Sequence, residues 1–577
     1  MNRGTSIAVV ALFALVCGAV LYTKLSPNTT SQPPGSEARP IERPDSQPPA
    51  TPGKDTIEVL YASSDGKKEW VNDVVKTFNE KQVELNGKVV VVKAEHMRSG
   101  ESRAAILAGK SKPTIWGPAG KSWIDLINQD WQTRMNHPFV PEAKDTVNTA
   151  LIIALWKPMA EALGWPKKEI GWDDLHTVVT NPKGWSALGH PEWGAFKFGH
   201  SHPDYSNSAM LSVISMIYAG AGKDAGLTSA DMKNPQVVSL LKDIERSVVH
   251  YGESSSWLVD KLCTRGPAYL SAVTVYESSV VKANDKCKTK PFPLVAVYPK
   301  EGTFWETHPA GVVDADWVTE DQKAGAQAFL DFLTSSEQQA KAPKYGFRPA
   351  LKDVPLTAPF DEDHGVSPNV QRHELEYVSE DLFQRANTLW HETKKKAAIW
   401  VVLDISGSMN GKPMDAARAG TVKFLQRMEP DDLVQVIAFS EQPVALGTPG
   451  KVRQMGESLV QKVNGLYAQG QTSLYDAVLM AFDEIEEARK KETEPRSYGI
   501  VVLSDGKDTS SKRNRPDLIE RLPKPEDTEG TRVFTIAYGD EADEDLLRNL
   551  SDRSNALMVH GDSADIDKLY HQIASYF

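Results

Sequence analysis

The apolar positions of this chain follow two patterns. From Ala397 onward, short continuous apolar runs alternate with stretches of helical period. The runs predict strands at Ala397–Leu403, Leu433–Phe439, Tyr498–Leu503, Arg532–Tyr538 and Ala556–His560. The periodic stretches predict helices at Met414–Met428, Ser473–Ala488, Asp545–Leu550 and Ile566–Tyr576. Strands without polar alternation are buried on both faces, so these imply a parallel sheet covered by helices, a doubly wound α/β domain.

Between Thr56 and Ala350 strands and helices also alternate, with strands at Ile57–Ala62, Val89–Val92, Ala272–Val275 and Leu294–Tyr298. Helical patterns cover Trp70–Phe78, Met210–Ala219 and Gln322–Thr334. A stretch of roughly 300 residues of this kind is long enough for two lobes. Leu351–Pro368 is rich in proline and acidic residues and reads as a connector. Glu374–Lys395 has apolar residues at helical spacing and predicts a bridging helix. Its Lys394-Lys395-Lys396 end suits a helix C-terminus and reads as a solvated cap.

The N-terminus adds a different element. Arg3 precedes an apolar run from Ile7 to Leu21, and Lys24 follows it. This predicts a signal anchor, with a cleaved signal peptide or a lipid-modified Cys17 as rivals. Each places the bulk of the chain outside the cytoplasmic membrane, single-pass or lipid-anchored in the first and last cases. Ser26–Lys54 is dominated by Pro, Ser, Thr and Gln and reads as a solvated tether. The expected domains are therefore 1–24 anchor or signal, 25–54 linker, 55–355 two-lobed domain, 356–396 connector and bridging helix, and 397–577 C-terminal domain.

Length and charge agree with this division. The chain has 577 residues and a net charge of −12, with no large basic block, so nucleic acid is an unexpected partner. Of three cysteines, Cys263 and Cys287 suit a local disulfide in an exported chain.

Candidate chemistry gathers at the ends of the C-terminal strands. Asp404, Ser406 and Ser408 follow the first strand, Thr472 opens a helix, and Asp505 follows the strand ending at Leu503. Sites in doubly wound sheets form beyond the carboxyl ends of strands. Two carboxylates and three hydroxyls make an all-oxygen set for a hard cation, Mg²⁺ first, with Mn²⁺ and Ca²⁺ as alternatives.

The Asp-x-Ser-x-Ser motif, Thr472 and Asp505 resemble the metal-ion-dependent adhesion site of von Willebrand factor type A domains over Ala397–Phe577. That resemblance implies a cation that holds the acidic group of a protein partner. The region from Thr56 to Leu351 resembles bacterial extracellular solute-binding proteins, close to the type that takes molybdate- and sulfate-like oxyanions. The resemblance is carried by Val59-Leu60-Tyr61-Ala62-Ser63-Ser64, Gly199-His200-Ser201-His202-Pro203-Asp204, Val275-Tyr276-Glu277 and Lys344-Tyr345-Gly346-Phe347-Arg348-Pro349. It implies a small solute, of oxyanion type, between the lobes near Ser63, Ser64, Ser206, Asn207, Ser208 and Tyr276.

His200 and His202 lack a carboxylate-plus-histidine spacing and are expected to be structural. The dense tryptophans are expected in the core, with sugar stacking as the sharper alternative. The expected function is a tethered binding and adhesion protein. The alternative is the solute receptor of an uptake permease. No nucleophile elbow, phosphate-cradling loop or His-Glu-x-x-His helix is present, so enzymatic activity is not expected.

Overall fold

The computed structural model describes residues 55–577 apart from 250, 253, 287–291, 525, 526, 528, 540, 562–565 and 575. The expected anchor and linker lie outside the described residues. Among the described residues no helix is long and apolar enough to cross a membrane.

The first lobe is a five-stranded sheet. Strand β1 (Thr56–Ser64) runs parallel to β2 (Lys88–Met97) on one side and to β3 (Ile115–Gly117) on the other. Ile57, Val59 and Tyr61 alternate onto one face, where Trp70, Val74, Phe78 and Phe329 cover them. The second lobe is built on β4 (Val147–Trp156), an almost wholly buried strand. It pairs antiparallel with β5 (Ala272–Tyr276), with Leu294–Val297 and with Arg348–Pro349. Its core takes up Trp156, Trp172 and Trp185, which are fully buried. Trp116, Trp123 and Trp131 are buried as well, so tryptophan here is mostly core. Four helices start where the lobes face each other: α1 (Ser99–Leu107), α2 (Asn207–Ala221), α3 (Ser255–Arg265) and α4 (Glu277–Lys286).

The bridging helix α5 (Glu380–Thr393) is shorter than its apolar spacing predicts. Leu375 is buried, but its backbone pairs with Thr303 as an extended segment. The helix begins only after Ser379, with Glu380 and Asp381 in the first turn, where acids favour a helix N-terminus. Phe383, Ala386, Leu389 and Trp390 join the second lobe's core. The lysine run after α5 is not a solvated cap. Lys394 is 6% exposed and donates to the carbonyl of Phe577 at 2.7 Å, and Lys396 donates to the carbonyl of His391 at 2.8 Å.

The C-terminal sheet places β6 (Lys396–Asp404) between β7 (Leu433–Phe439) and β8 (Arg496–Ser504), followed outward by β9 (Arg532–Tyr538) and β10 (Met558–Gly561). All five are parallel. Ala397, Ile399, Val401 and Leu403 enter one core, and Ala398, Trp400 and Val402 enter the other. A period of two with both phases apolar is what a doubly covered sheet requires. Helices α6 (Lys412–Arg427), α7 (Leu474–Arg489) and α8 (Ile566–Ala574) cover the faces. Because β7 lies to one side of β6 and β8 to the other, the chain reverses direction of winding at β6.

The two domains meet on several residues. His391 on α5 joins Asp204 of the second lobe, at 3.1 Å, to Glu429 beyond α6, at 2.7 Å. Trp257 on α3 meets Tyr576 edge-on, and Arg265 bonds Asn555. Cys263 is disulfide-bonded, while Cys17 and Cys287 lie outside the described residues.

Candidate metal centre and solute cleft

The switch point between β6 and its neighbours is where the three candidate loops meet. Asp404, the last residue of β6, is fully buried. One of its oxygens accepts from the Ser406 amide at 2.9 Å and the other from the Ser504 hydroxyl at 2.7 Å. The hydroxyls of Ser406 and Ser408 are 3.0 Å apart, and Ser408 donates to Asp505 at 2.8 Å. Thr472 belongs to a loop tied to the first by two main-chain bonds, Gln469 to Ile405 and Gly407 to Gly470. A Cβ on Gly407 would stand 3.3 Å from the Gly470 carbonyl, so glycine permits this approach. The Thr472 amide donates to the hydroxyl of Thr509 at 2.9 Å, which pins it to the loop after β8.

Burial pushes the Asp404 carboxyl up to about 6, with Asp505 adding to the effect, and burial raises Asp505 also. Among the described residues no lysine, arginine or histidine pairs with either carboxylate. The buried hydroxyl of Ser473 has no hydrogen-bond partner among the described residues. Oxygen donors without a counter-cation fit a hard divalent ion. Among the described residues no cluster of three or more His, Cys, Asp or Glu is placed to hold a metal, so any such site here depends on hydroxyls. Ser504 and Thr509 were not assigned from sequence. The Ser504-Asp505-Gly506 strand end was the available signal for the first.

The inter-lobe site is a cavity of about 40 Å³. Ser206, Asn207, Ser208 and Tyr276 line it. Ser63 and Ser64 do not, because β1 runs into a 3-10 turn at Asp65–Lys67 that brings Asp65 and Gly66 to the wall instead. Asn207 is committed to protein: it donates to Tyr276 at 2.7 Å and Glu306 at 2.9 Å, and accepts from Trp123 at 2.7 Å. Burial pushes Glu306 up to about 8, so it is largely protonated at neutral pH.

A chain of hydroxyls crosses the wall, from Ser201 to Ser206 at 2.8 Å, to Ser208 at 3.1 Å, and on to Ser255 at 2.8 Å. Ser99, Ser254, Ser278 and Ser279 line it too. Serines at a helix start were the signal for Ser206 and Ser208, and Ser99, Ser254 and Ser279 escaped it because serine is an ordinary N-cap. His308, also on the wall, is fully buried at positive φ (43°) with both ring nitrogens unpartnered. His200 and His202 are structural: His200 pairs with buried Glu245 at 3.0 Å, and His202 packs on Trp390.

A two-lobed α/β unit with an inter-lobe cavity, joined to a doubly wound domain with an oxygen-rich switch point, defines a two-domain binding protein. The chain belongs to the bacterial extracellular solute-binding protein family, which matches residues 59–348, and residues 398–572 match the von Willebrand factor type A domain.

Among curated proteins it is similar to sll0103 of Synechocystis sp., at 27% identity over 161 residues, which is 28% of this chain and 36% of that protein. It is also similar to inter-alpha-trypsin inhibitor heavy chain H3 of Bos taurus, at 22% identity over 30% of this chain and 20% of that one. The chain thus spans 36% and 20% of the length of these relatives. A solved neighbour is the sulfate-binding protein SubI of Mycobacterium tuberculosis, with 15% identity, TM-score 0.36, and coverage of 52% of this chain and 88% of that chain. Another is a von Willebrand factor type A protein of Catenulispora acidiphila, with 18% identity, TM-score 0.28, and coverage of 32% and 42%.

Proposed function

We propose that this is a membrane-tethered, extracytoplasmic binding and adhesion protein with two working sites. In the C-terminal domain Asp404, Ser406, Ser408, Thr472 and Asp505 hold a divalent cation, with Mg²⁺ the favoured ion. A hard cation there supplies an electrophilic position for a carboxylate of a protein partner. The observation that carries this reading is the linked run of oxygens from Ser406 through Ser408 to Asp505, beside buried Asp404, with no basic side chain among the described residues paired to it. Asp404 orients the hydroxyl loop, as groups behind a metal's direct ligands do.

In the solute domain the cavity takes a small oxyanion. Four helices begin at its wall, and helix N-termini attract anions through free N–H groups and the aligned peptide dipoles. The unpartnered ring of His308 adds a donor in want of an acceptor.

Mn²⁺ titration of the full chain by calorimetry tests the metal reading. Asp404→Ala and Thr472→Ala are each expected to weaken cation binding by about 10–100-fold, while oxyanion binding to the solute domain persists. Undiminished cation binding by both variants refutes the site. Native mass spectrometry of the chain as purified reads any retained solute by mass, and a neutral sugar in place of an oxyanion refutes the cleft reading.

A further inference from the structure

A second cavity, of about 70 Å³, lies away from the inter-lobe cavity and the metal loops, where the helix Pro235–Ser247, the tail of α5 and the first residues of β8 and β9 meet. Five cationic side chains reach its wall. Two have carboxylates of their own: Arg246 with Asp243 at 3.6 Å, and Arg496 with Glu492 at 2.6 Å. Among the described residues Lys395, Arg489 and Arg532 form no ion pair.

Among the described residues Lys395 makes no hydrogen bond and no ion pair. Arg532 is 5% exposed and donates only to the carbonyls of Ser554 and Asn555, at 3.1 and 3.2 Å. Arg489 donates to the Glu529 carbonyl at 2.7 Å and to the Thr531 hydroxyl at 3.2 Å, and its buried Nε has no partner. Among the described side chains on the wall the carboxylate is that of Glu529, which is exposed; the main-chain oxygen of Phe577, also on the wall, accepts from Lys394. Glu245, near Lys395, is taken by His200 and Tyr251.

Cations taken out of water without a counter-charge are costly, and a protein either neutralises them or pairs them. Burial, with Arg532 beside it, pushes Lys395 down to about 8, and burial pushes Arg532 down to about 10. The space of about 70 Å³ equals roughly five to seven waters at about 10–15 Å³ each, which is room for a tetrahedral oxyanion.

We propose that this cavity binds a small tetrahedral dianion of the phosphate or sulfate type, held by Lys395, Arg489 and Arg532, with the hydroxyls of Ser497 and Tyr498 on the same wall. The ion is held by the bridging segment through Lys395 and by the C-terminal domain through Arg489 and Arg532, on a wall that Arg246 of the solute domain also lines. It therefore binds the bridging segment to the C-terminal domain. This inference does not depend on the reading of the inter-lobe cavity or of the metal loops.

Equilibrium dialysis of the full chain against labelled phosphate, and separately labelled sulfate, in metal-free buffer is the test. Ser208→Glu serves as background, because a carboxylate in the inter-lobe cavity repels an anion there. In that background one anion per chain is expected to remain bound. Adding Lys395→Met, which keeps the apolar stem, is expected to weaken that binding by about 10-fold or more, and Lys395→Arg to preserve it. No binding in the background, or equal binding after Lys395→Met, overturns the proposal. Failure of the cleft reading shows separately, as equal stoichiometry in the wild type and the Ser208→Glu variant.

Discussion

Asp404 carries its charge in a buried position, yet hydrogen bonds from Ser406 and Ser504 are the favourable contacts that hold it. Removing one should loosen the loop that presents Ser406 and Ser408. Ser504→Ala is expected to weaken Mn²⁺ binding by about 10-fold without unfolding the sheet, as read by calorimetry alongside circular dichroism. His391 permits a second prediction at this scale. Its contacts with Asp204 and Glu429 outweigh its burial and raise its pKa to about 9, and both carboxylates are held below their ordinary values. A raised histidine stabilises fully below its ordinary value of 6.5 and loses that contribution as pH climbs through about 9. Lowered carboxylates stabilise above their ordinary range and lose that contribution as pH falls below it. The three-residue contact is therefore strongest between about pH 5 and 6.5. Urea midpoints measured from pH 5 to 10 should fall on the alkaline side more for wild type than for His391→Gln, and parallel curves would exclude the contact.

Among elements, α5 contributes Phe383, Ala386, Leu389 and Trp390 to the second lobe's core. Trp390 is fully buried and meets His202 and Tyr251 edge-on. Trp390→Ala is expected to cost about 3–5 kcal/mol, measured by urea unfolding of the full chain. How much of the fold could be read in advance depended on periodicity. The C-terminal strands were legible to within a residue or two because each is apolar over most of its length, and Leu433–Phe439 and Arg532–Tyr538 match outright despite Gln435, Arg532 and Thr535. Strand β4 was missed although it is just as apolar, and so was the helix Val452–Asn464, whose few large apolar residues give a thin stripe. The bridging helix was read too long because Leu375 and Val378 fit its period while packing as extended chain. Lys394 was misread because charge alone does not reveal a buried acceptor, here the Phe577 carbonyl. At the sites, Asp404, Ser406, Ser408 and Asp505 were legible as a motif. The cleft serines at the starts of α1, α3 and α4 were not, because helix caps use the same residue type.

For the whole molecule, α3 connects the two halves. Ser255 in its first turn lines the inter-lobe cavity, while Trp257 meets Tyr576 and Arg265 bonds Asn555 in the C-terminal domain. Occupying the cavity is therefore expected to change Mn²⁺ affinity, and Mn²⁺ to change oxyanion affinity by the same factor, since coupling free energy is reciprocal. Calorimetric titrations in both orders check this, and identical Mn²⁺ isotherms with and without saturating oxyanion would show the halves to be independent.

Helix α5 belongs to the second lobe's core yet runs directly into the central strand β6. A cut ahead of α5 would thus tear a wall from the solute module, and a cut behind it would strip the C-terminal module of its lysine contact. A gene fragment ending at residue 355 would expose the socket of Trp390 and invite aggregation. One beginning at Ala397 would lack Lys394, the donor to Phe577. The halves are best expressed, evolved and engineered as a single inheritance.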